Sequence, residues 1–237
     1  KQVSWKSDTA PGAFLSFSGD GQRLLMSPAG GPVIRVWDLK RGAPLRDLTE
    51  VRSHVYATAF ARGASLFACA DSDGIKLYNA DTFRFSRELT MPQDQSPARI
   101  GKLAISADGT TLAAVGTDVY LWTEKRGLQR LSSNKPPRRL PQIGEVGHVA
   151  LNADGTLLYT MVQVDRYGRG GEQWWLRVVD LSTDRLRASV GPFFAGRSAR
   201  GALSPDKSRF AITFNGKVLL FDMAELTDPQ VPVAAAE

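Results

Sequence analysis

Few residues of this 237-residue chain have the types and spacing that catalysis or metal binding requires. The two histidines, His54 and His148, are far apart in sequence, and neither belongs to a Cys/His group with metal-ligand spacing. The motifs H-E-x-x-H, G-x-x-x-x-G-K-[ST] and G-x-S-x-G are absent. The single cysteine, Cys69, lies in the apolar run LFACA, where a small buried hydrophobe is expected. We therefore predict no catalytic residue, no metal site and no cofactor.

Two further features could suggest a catalytic or phosphate-binding site, but local backbone structure explains both. Four aspartates lie in short turn sequences between apolar runs: Asp20, Asp108, Asp154 and Asp206. Aspartate is common there because its carboxylate accepts hydrogen bonds from the backbone of the turn. The Gly-rich segment GRGG (168–171) resembles a phosphate-binding loop, but no helix pattern follows it. A hairpin tip is therefore the favoured interpretation of GRGG.

Positive charge is concentrated between residues 132 and 200. The segments SSNKPPRRLPQIGE (132–145), QVDRYGRGGEQ (163–173) and GPFFAGRSAR (191–200) carry seven cations and three acids, in a chain of net charge +6. The cations are Lys135, Arg138, Arg139, Arg166, Arg169, Arg197 and Arg200. Tyr167 and Trp174 lie among them, and interfaces are enriched in arginine and aromatic residues, so we predict that these nine residues bind a protein partner. Binding of nucleic acid or another polyanion, or a purely solubilising role, stays open.

The elements that position these residues repeat along the chain. An apolar run that ends in a large residue and a polar one occurs five times, and the large residues are Trp37, Tyr78, Trp122, Val179 and Phe221. The successive steps between them are 41, 44, 57 and 42 residues. A period of about 40–45 residues with several short strands per unit is typical of β-propeller blades. The 57-residue step contains two of the basic segments and is therefore predicted to hold an insertion.

Each repeat also contains a tight turn between two apolar runs. The turn sequences are FSGDG (17–21), FARGA (60–64), ISADG (105–109), LNADG (151–155) and LSPDK (203–207). An Asp-Gly pair between apolar runs predicts a hairpin, because both residues tolerate positive φ. More polar outer strands are predicted at 44–50, 83–89, 128–133 and 185–191. The fold class is therefore all-β, a β-propeller of four-stranded antiparallel blades with five blades visible.

These residues resemble the WD-repeat family over residues 11–226. The Trp-Asp pair occurs at Trp37-Asp38, with near forms at Val179-Asp180 and Phe221-Asp222. In the family, a Gly-His pair lies in the loop that leads into the innermost strand. The only such pair in this sequence, at residues 147 and 148, lies too close to the strand sequence VALN to occupy that loop. The hydrogen-bonded His/Asp/Ser/Trp cluster that the family has in each repeat is thus incomplete in every repeat of this sequence. The repeats are therefore degenerate. We predict a single propeller domain over residues 1–226 and an irregular tail over 227–237.

Two ring arrangements are compatible with five blades. In a closed five-blade ring, QVSW (2–5) would add the outer strand of the last blade and remove two exposed sheet edges. In the other arrangement, the five blades are part of a larger propeller, such as one of seven blades. In both, one residue at an equivalent position of each innermost strand is expected to be buried; these residues are Phe17, Phe60, Ile105, Leu151 and Leu203.

The predicted topology brings the basic segments to one face. The loops between blades, and those between second and third strands, leave one face of a propeller, and the Asp-Gly turns leave the other. We therefore predict a non-enzymatic protein-interaction scaffold, a domain or subunit of a larger assembly. The alternative is a propeller that binds a small anionic ligand or polyanion, with an enzymatic role left open. For that alternative, Lys102, His148 and Arg200 begin innermost strands and could hold an anion at the channel mouth.

The sequence indicates little about location. No apolar run approaches the ~18 residues of a membrane span. The chain opens with KQVSWK rather than with Met, so we expect a processed protein or a piece of a longer one. A cytoplasmic location is favoured, and export followed by signal removal stays open. Arginine outnumbers lysine 21 to 9, which indicates a GC-rich bacterial genome.

Overall fold

Five antiparallel sheets, arranged in chain order, make up the described part of the protein. Four of them have four strands and the fifth has three. The predicted all-β fold class is thus confirmed. The computed structural model describes residues 14–27, 32–89, 100–116, 119–130, 146–164, 173–194, 200–204, 206, 208–214 and 217–227.

The first three sheets are meanders in which consecutive strands pair. The first contains β1 (Phe14–Phe17), β2 (Arg23–Ser27), β3 (Ile34–Asp38) and β4 (Ala43–Leu48). The second contains β5 (Ala57–Phe60), β6 (Leu66–Ala70), β7 (Ile75–Asn79) and β8 (Phe85–Leu89). The third contains β9 (Lys102–Ile105), β10 (Thr111–Val115), β11 (Val119–Thr123) and β12 (Gly127–Arg130).

The last two sheets follow the same order. The fourth contains β13 (Val146–Leu151), β14 (Leu157–Val164), β15 (Gln173–Asp180) and β16 (Arg185–Phe194). The fifth contains β17 (Arg200–Leu203), β18 (Arg209–Phe214) and β19 (Lys217–Asp222), and helix α1 (Met223–Thr227) follows it. The four predicted outer strands are therefore present as β4, β8, β12 and β16.

The strand registers confirm the alignment of the repeats. In the third sheet, Ile105 lies opposite Leu112, and Leu112 lies opposite Trp122. The other four sheets show the same relation; their inner-strand members are Phe17, Phe60, Leu151 and Leu203, and their third-strand members are Trp37, Tyr78, Val179 and Phe221. Residues that are equivalent by sequence spacing are therefore equivalent in structure.

Successive sheets pack through opposite faces. Side chains alternate between the two faces of a sheet along each strand. In the second sheet, Ala68 and Leu77 belong to the hydrophobic cluster shared with the third sheet, whereas Phe67 and Tyr78 belong to the cluster shared with the first. We call the face that carries Leu77 and its register equivalents the forward face, and the face that carries Tyr78 and its equivalents the rear face. Each sheet thus packs its forward face on the rear face of the next sheet.

Four hydrophobic clusters hold the array together, one at each junction between consecutive sheets. Helix α1 contributes Met223 to the cluster between the fourth and fifth sheets. No cluster of described residues joins the fifth sheet to the first, so closure of the ring stays a prediction. Residues 2–5, which were predicted to close it, lie outside the described residues.

Burial of the five inner-strand residues depends on the place of each sheet in the array. Ile105 and Leu151 are buried, and Phe60 and Leu203 are half-buried. Phe17 is 63% exposed, so the prediction that it is buried is wrong. It lies on the rear face of the first sheet, and no sheet in the described part of the chain precedes that one.

Candidate functional site

The turn aspartates have a structural role. Ser106 Oγ accepts a hydrogen bond from the backbone N–H five residues later at 3.0 Å, and Asp108 accepts one from the N–H two residues later at 3.0 Å. The first, fourth and fifth sheets repeat these two bonds around Asp20, Asp154 and Asp206. The Ser204 hydroxyl is the main cause that lowers the pKa of Asp206 to about 2. The predicted turn role of these carboxylates is confirmed.

The polar residue after each large third-strand residue also closes a turn. Asp38 Oδ1 accepts hydrogen bonds from the backbone N–H groups of Lys40 and Arg41, both at 3.0 Å. Asp180 accepts the equivalent bond from the N–H of Ser182 at 2.9 Å, and the Ser182 hydroxyl is the main cause that holds the pKa of this carboxyl well below its usual range. The aspartate of the Trp-Asp pair is therefore engaged in its own turn.

The fourth sheet is extended on the side opposite the Asp-Gly turns. β14 and β15 have eight residues each and β16 has ten, whereas every other described strand has four to six. The additional residues are 162–164, 173–175 and 191–194, which we call the extension. Three residues of strand project about 10 Å. Part of each predicted loop, 163–173 and 191–200, is thus strand.

Buried aromatic side chains hold the extension in place. Trp174 is 1% exposed in the cluster between the fourth and fifth sheets, and Trp175 is 9% exposed in the cluster between the third and fourth. The ring centroids of Phe193 and Phe221 lie 5.9 Å apart. Trp174 was predicted to contact a partner. Both are buried because neighbouring sheets cover both faces of the extension, so Trp174 is a core residue.

The basic segments begin and end on the same side as the extension. Residues 165–172 join β14 to β15, and residues 131–145 join β12 to β13. Arg200 begins β17, and only its backbone is described. The other predicted partner-binding residues lie outside the described residues: Lys135, Arg138, Arg139, Arg166, Tyr167, Arg169 and Arg197.

One buried cation was not predicted as a functional residue. Arg177 occupies the register position that holds Arg35 in the first sheet and Lys76 in the second. Those two cations pair with Asp47 at 2.8 Å and Asp71 at 2.7 Å. Arg177 is 6% exposed, and its Nε and Nη1 have no hydrogen-bond partner among the described residues. Burial lowers the pKa of its guanidinium. A charged residue within the apolar run WWLRVV is the sequence signal that could have identified it.

Replacing Arg177 by Met should stabilise the protein. A buried polar group without a partner costs about 1–3 kcal/mol, and Met fills a similar volume without that cost. We therefore expect the free energy of unfolding to rise by an amount in this range in urea denaturation. Arg35→Met, at the exposed equivalent position, should change stability by less than about 1 kcal/mol. A loss of stability in Arg177→Met would mean that the guanidinium has a partner in solution.

Two of the three residues predicted at the channel mouth lie together. Lys102 and His148 line a pocket of about 220 Å³, together with Tyr56 and other residues at the starts of inner strands. The His148 ring packs edge-on against Phe210, with ring centroids 5.4 Å apart. Arg200 has the same register position on β17 as Lys102 on β9, but its side chain lies outside the described part of the molecule.

A larger groove of about 430 Å³ lies at the turn rim between the first two sheets. Asp20, Arg23 and Arg62 are among its lining residues. The second repeat has FARGA where the others have Ser or Asn and then Asp two residues later, so its turn lacks the two side-chain hydrogen bonds described above. Gly63 donates its backbone N–H across to Ala107 of the third sheet at 2.7 Å. The groove was not predicted, and the departure of FARGA from the repeat pattern is the signal that marks it.

The described residues include no group of three or more His, Cys, Asp or Glu side chains that could hold a metal ion. Burial raises the pKa of the Cys69 thiol to about 12, which keeps it protonated at neutral pH. None of these described residues forms a helix that is long and apolar enough to cross a membrane.

The chain is similar in sequence to one curated plant protein. SEC12-like protein 2 of Arabidopsis thaliana is 27% identical over 182 residues, which is 68% of this chain and 43% of that protein. The chain thus spans less than half the length of this relative. No protein-family model matches the sequence.

Solved structures with a similar fold support the architecture. The β-propeller domain of Myceliophteria thermophila Cps50 (Swd1) superposes with a TM-score of 0.66 at 14% identity, over 88% of this chain and 64% of that one. Kuenenia stuttgartiensis hydrazine synthase gives a TM-score of 0.61 at 17% identity, over 89% of this chain and 57% of that one. At these identities the likeness shows the fold alone. The five sheets and their register therefore form a WD-repeat-like β-propeller.

Proposed function

We propose that this chain is a non-enzymatic interaction scaffold, a propeller domain or subunit of a larger assembly that binds an acidic surface of a partner protein. The proposed contact is the loop side of the fourth sheet. The observation that supports it most directly is the extension, which lengthens three strands of one sheet only. The other sheets pack through strands of four to six residues, so packing between sheets does not by itself require strands of this length.

The extension suits a binding platform because its base is rigid. Trp174 and Phe193 are buried on one side, and Trp175 is buried on the other. The two strands that residues 165–172 connect end at Val164 and begin at Gln173, about three residues of strand further out than in the other sheets. Loops carried on a rigid scaffold are where binding functions concentrate.

The chemistry of the adjoining segments favours an acidic partner. Segments 132–145, 163–173 and 191–200 carry seven cations against three acids, together with Tyr167. Arginine offers paired hydrogen-bond donors that match carboxylates, and complementary charge speeds the encounter of two proteins. The expected partner surface is therefore rich in Asp and Glu.

Charge reversal of four loop arginines tests this proposal. The variant carries Arg138→Glu, Arg139→Glu, Arg166→Glu and Arg169→Glu. It should fold normally, since surface changes usually alter stability by no more than about 0.5 kcal/mol each. The wild-type protein is used to capture partners from a lysate, which are identified by mass spectrometry. The variant should lose those partners at the same salt concentration.

A matched variant controls for the change in net charge. It reverses four exposed arginines on the turn side of the sheets, namely Arg62, Arg84, Arg126 and Arg185. This control should retain the captured partners. If the loop variant retains them, or if both variants lose them equally, the loop side of the fourth sheet is not the binding site.

The channel-mouth pocket favours a second candidate function, binding of a small anion. Lys102 and His148 line the same pocket, and its volume of about 220 Å³ is large enough for a phosphate group. Inorganic phosphate should then bind to the wild-type chain and not to Lys102→Met in titration calorimetry. Equal heats for the two proteins would exclude this candidate.

A further inference from the structure

The tight turn of the second sheet lacks the carboxylate of the equivalent turns and carries a cation. Each of the other four sheets has an aspartate in this turn: Asp20, Asp108, Asp154 and Asp206. The second repeat, FARGA, has Gly63 at that position, and Arg62 where the others have Gly, Ala or Pro. We propose that this turn binds the carboxylate group of a small organic acid, in the groove of about 430 Å³ between the first two sheets. The site is separate from the loop side of the fourth sheet and from the channel-mouth pocket.

One backbone donor of this turn lacks the acceptor that it has in the other sheets. In the first, third, fourth and fifth sheets, the N–H two residues after the turn aspartate donates to that carboxylate at 2.9–3.1 Å. The equivalent donor in the second sheet is the N–H of Ser65, and it has no acceptor among the described residues. The next N–H, that of Leu66, donates to the Ala64 carbonyl at 2.8 Å. The turn therefore offers one free donor, at Ser65, to an external acceptor.

Contact with the third sheet explains why the second repeat has no aspartate. Gly63 donates its backbone N–H to the carbonyl of Ala107 at 2.7 Å. A Cβ atom at Gly63 would lie 2.9 Å from that carbonyl oxygen, which is closer than Cβ atoms approach in proteins. A side chain at this position would thus force the two turns apart. A carboxylate that takes the place of the missing one therefore has to come from outside the turn.

Arg62 provides the positive charge of the proposed site. The charged residues that line the groove are Asp20, Arg23, Arg62 and Asp81. Asp20 and Asp81 each accept a hydrogen bond from a serine hydroxyl, and Arg23 pairs with Asp38 at 3.3 Å. Among these four, only the Arg62 side chain has no hydrogen bond or ion pair with another described residue. A guanidinium and a backbone N–H can both donate to one carboxylate, and such charge-assisted hydrogen bonds are stronger than neutral ones.

The remaining walls of the groove indicate the size and charge of the ligand. Asp20 and Asp81 keep their negative charges, which favours a ligand with one carboxylate over a multiply charged anion such as phosphate. Phe60 and Ala61 supply apolar surface for the rest of the acid. A further sheet packed on the rear face of the first sheet would not fill this groove, because the groove lies on the side that faces the second sheet.

Titration with butyrate, followed by the backbone amide resonances of the isotope-labelled chain, tests the proposal. Sodium butyrate replaces sodium chloride at constant ionic strength. The amide of Ser65 should shift and reach saturation, whereas the amide of Thr110, which already donates to Asp108, should not shift. Arg62→Gln should weaken the affinity for butyrate by about tenfold or more, the loss expected for one charge-assisted hydrogen bond.

Three controls separate a carboxylate site from a general effect of charge. Arg126→Gln removes an exposed arginine from a turn of the third sheet and should bind butyrate as the wild type does. Butyramide, a neutral molecule of nearly the same shape, should not shift the Ser65 amide. Inorganic phosphate should bind at Ser65 more weakly than butyrate. Absence of a saturable shift at Ser65, an equal shift at Thr110, unchanged affinity in Arg62→Gln, an equal loss in Arg126→Gln, binding of butyramide, or tighter binding of phosphate would each overturn the proposal.

Discussion

Replacing Asp71 by Ala should lower the free energy of unfolding by about 3–5 kcal/mol, because it leaves a buried lysine without its nearest counter-charge. Asp71 and Lys76 side chains are 0% and 2% exposed, and Asp71 Oδ2 lies 2.7 Å from Lys76 Nζ. Glu88 is the other carboxylate near this ammonium group, at 3.9 Å, and it is 38% exposed. The measurement is urea or guanidinium denaturation, with the midpoint and slope compared with the wild type.

The structure supplies two controls for this prediction. Lys76→Met should cost less than Asp71→Ala, because the backbone N–H groups of Arg52, Asp73 and Gly74 still donate to the Asp71 carboxylate. Asp47→Ala breaks the ion pair of Arg35, the cation equivalent to Lys76 in the first sheet, and the two side chains of that pair are 46% and 37% exposed. That change should cost no more than about 1 kcal/mol. Equal losses in Asp71→Ala and Asp47→Ala would show that burial does not set the strength of this interaction.

Replacing Trp122 by Ala should cost about 3–5 kcal/mol, the range found when a large aromatic side chain is removed from a core. Trp122 is 5% exposed and belongs to the cluster between the second and third sheets. The Arg87 guanidinium lies over the Trp122 ring, and its central carbon is 5.3 Å from the ring centroid. Removal therefore opens a cavity at the junction and also removes a cation–π contact.

The Trp of the Trp-Asp pair is the matched control. Trp37 has the register position of Trp122, but it lies on the rear face of the first sheet and is half-buried. Trp37→Ala should therefore cost clearly less than Trp122→Ala in the same denaturation experiment. If the two changes cost the same, a sheet covers the rear face of the first sheet in solution.

The channel-mouth residues show that sequence spacing alone can predict which distant residues lie together. Lys102 and His148 begin equivalent inner strands, and a propeller brings such positions together around its axis. The prediction required only the repeat period, and the two residues do line one pocket.

Outside the extension, the sequence by itself determined the strands, their register and the chemistry of the turns. These features depend on interactions between residues that are close in the chain: alternating apolar residues define the faces of a strand, and the short Asp-Gly turns set which residues lie opposite each other. The equivalence of Trp37 and Trp122, and the role of Asp108 in its own turn, follow from local sequence for this reason.

Only the tertiary structure decided which equivalent residues are buried. Phe17 and Leu151 share a register, and so do Arg35 and Lys76, yet one of each pair is exposed and the other is buried. Both tryptophans of the extension are buried because a sheet packs on each side of them. Burial depends on the neighbouring sheet, whose residues are about forty positions away or more in the chain. A local pattern specifies a face, but only packing of distant segments determines what covers that face.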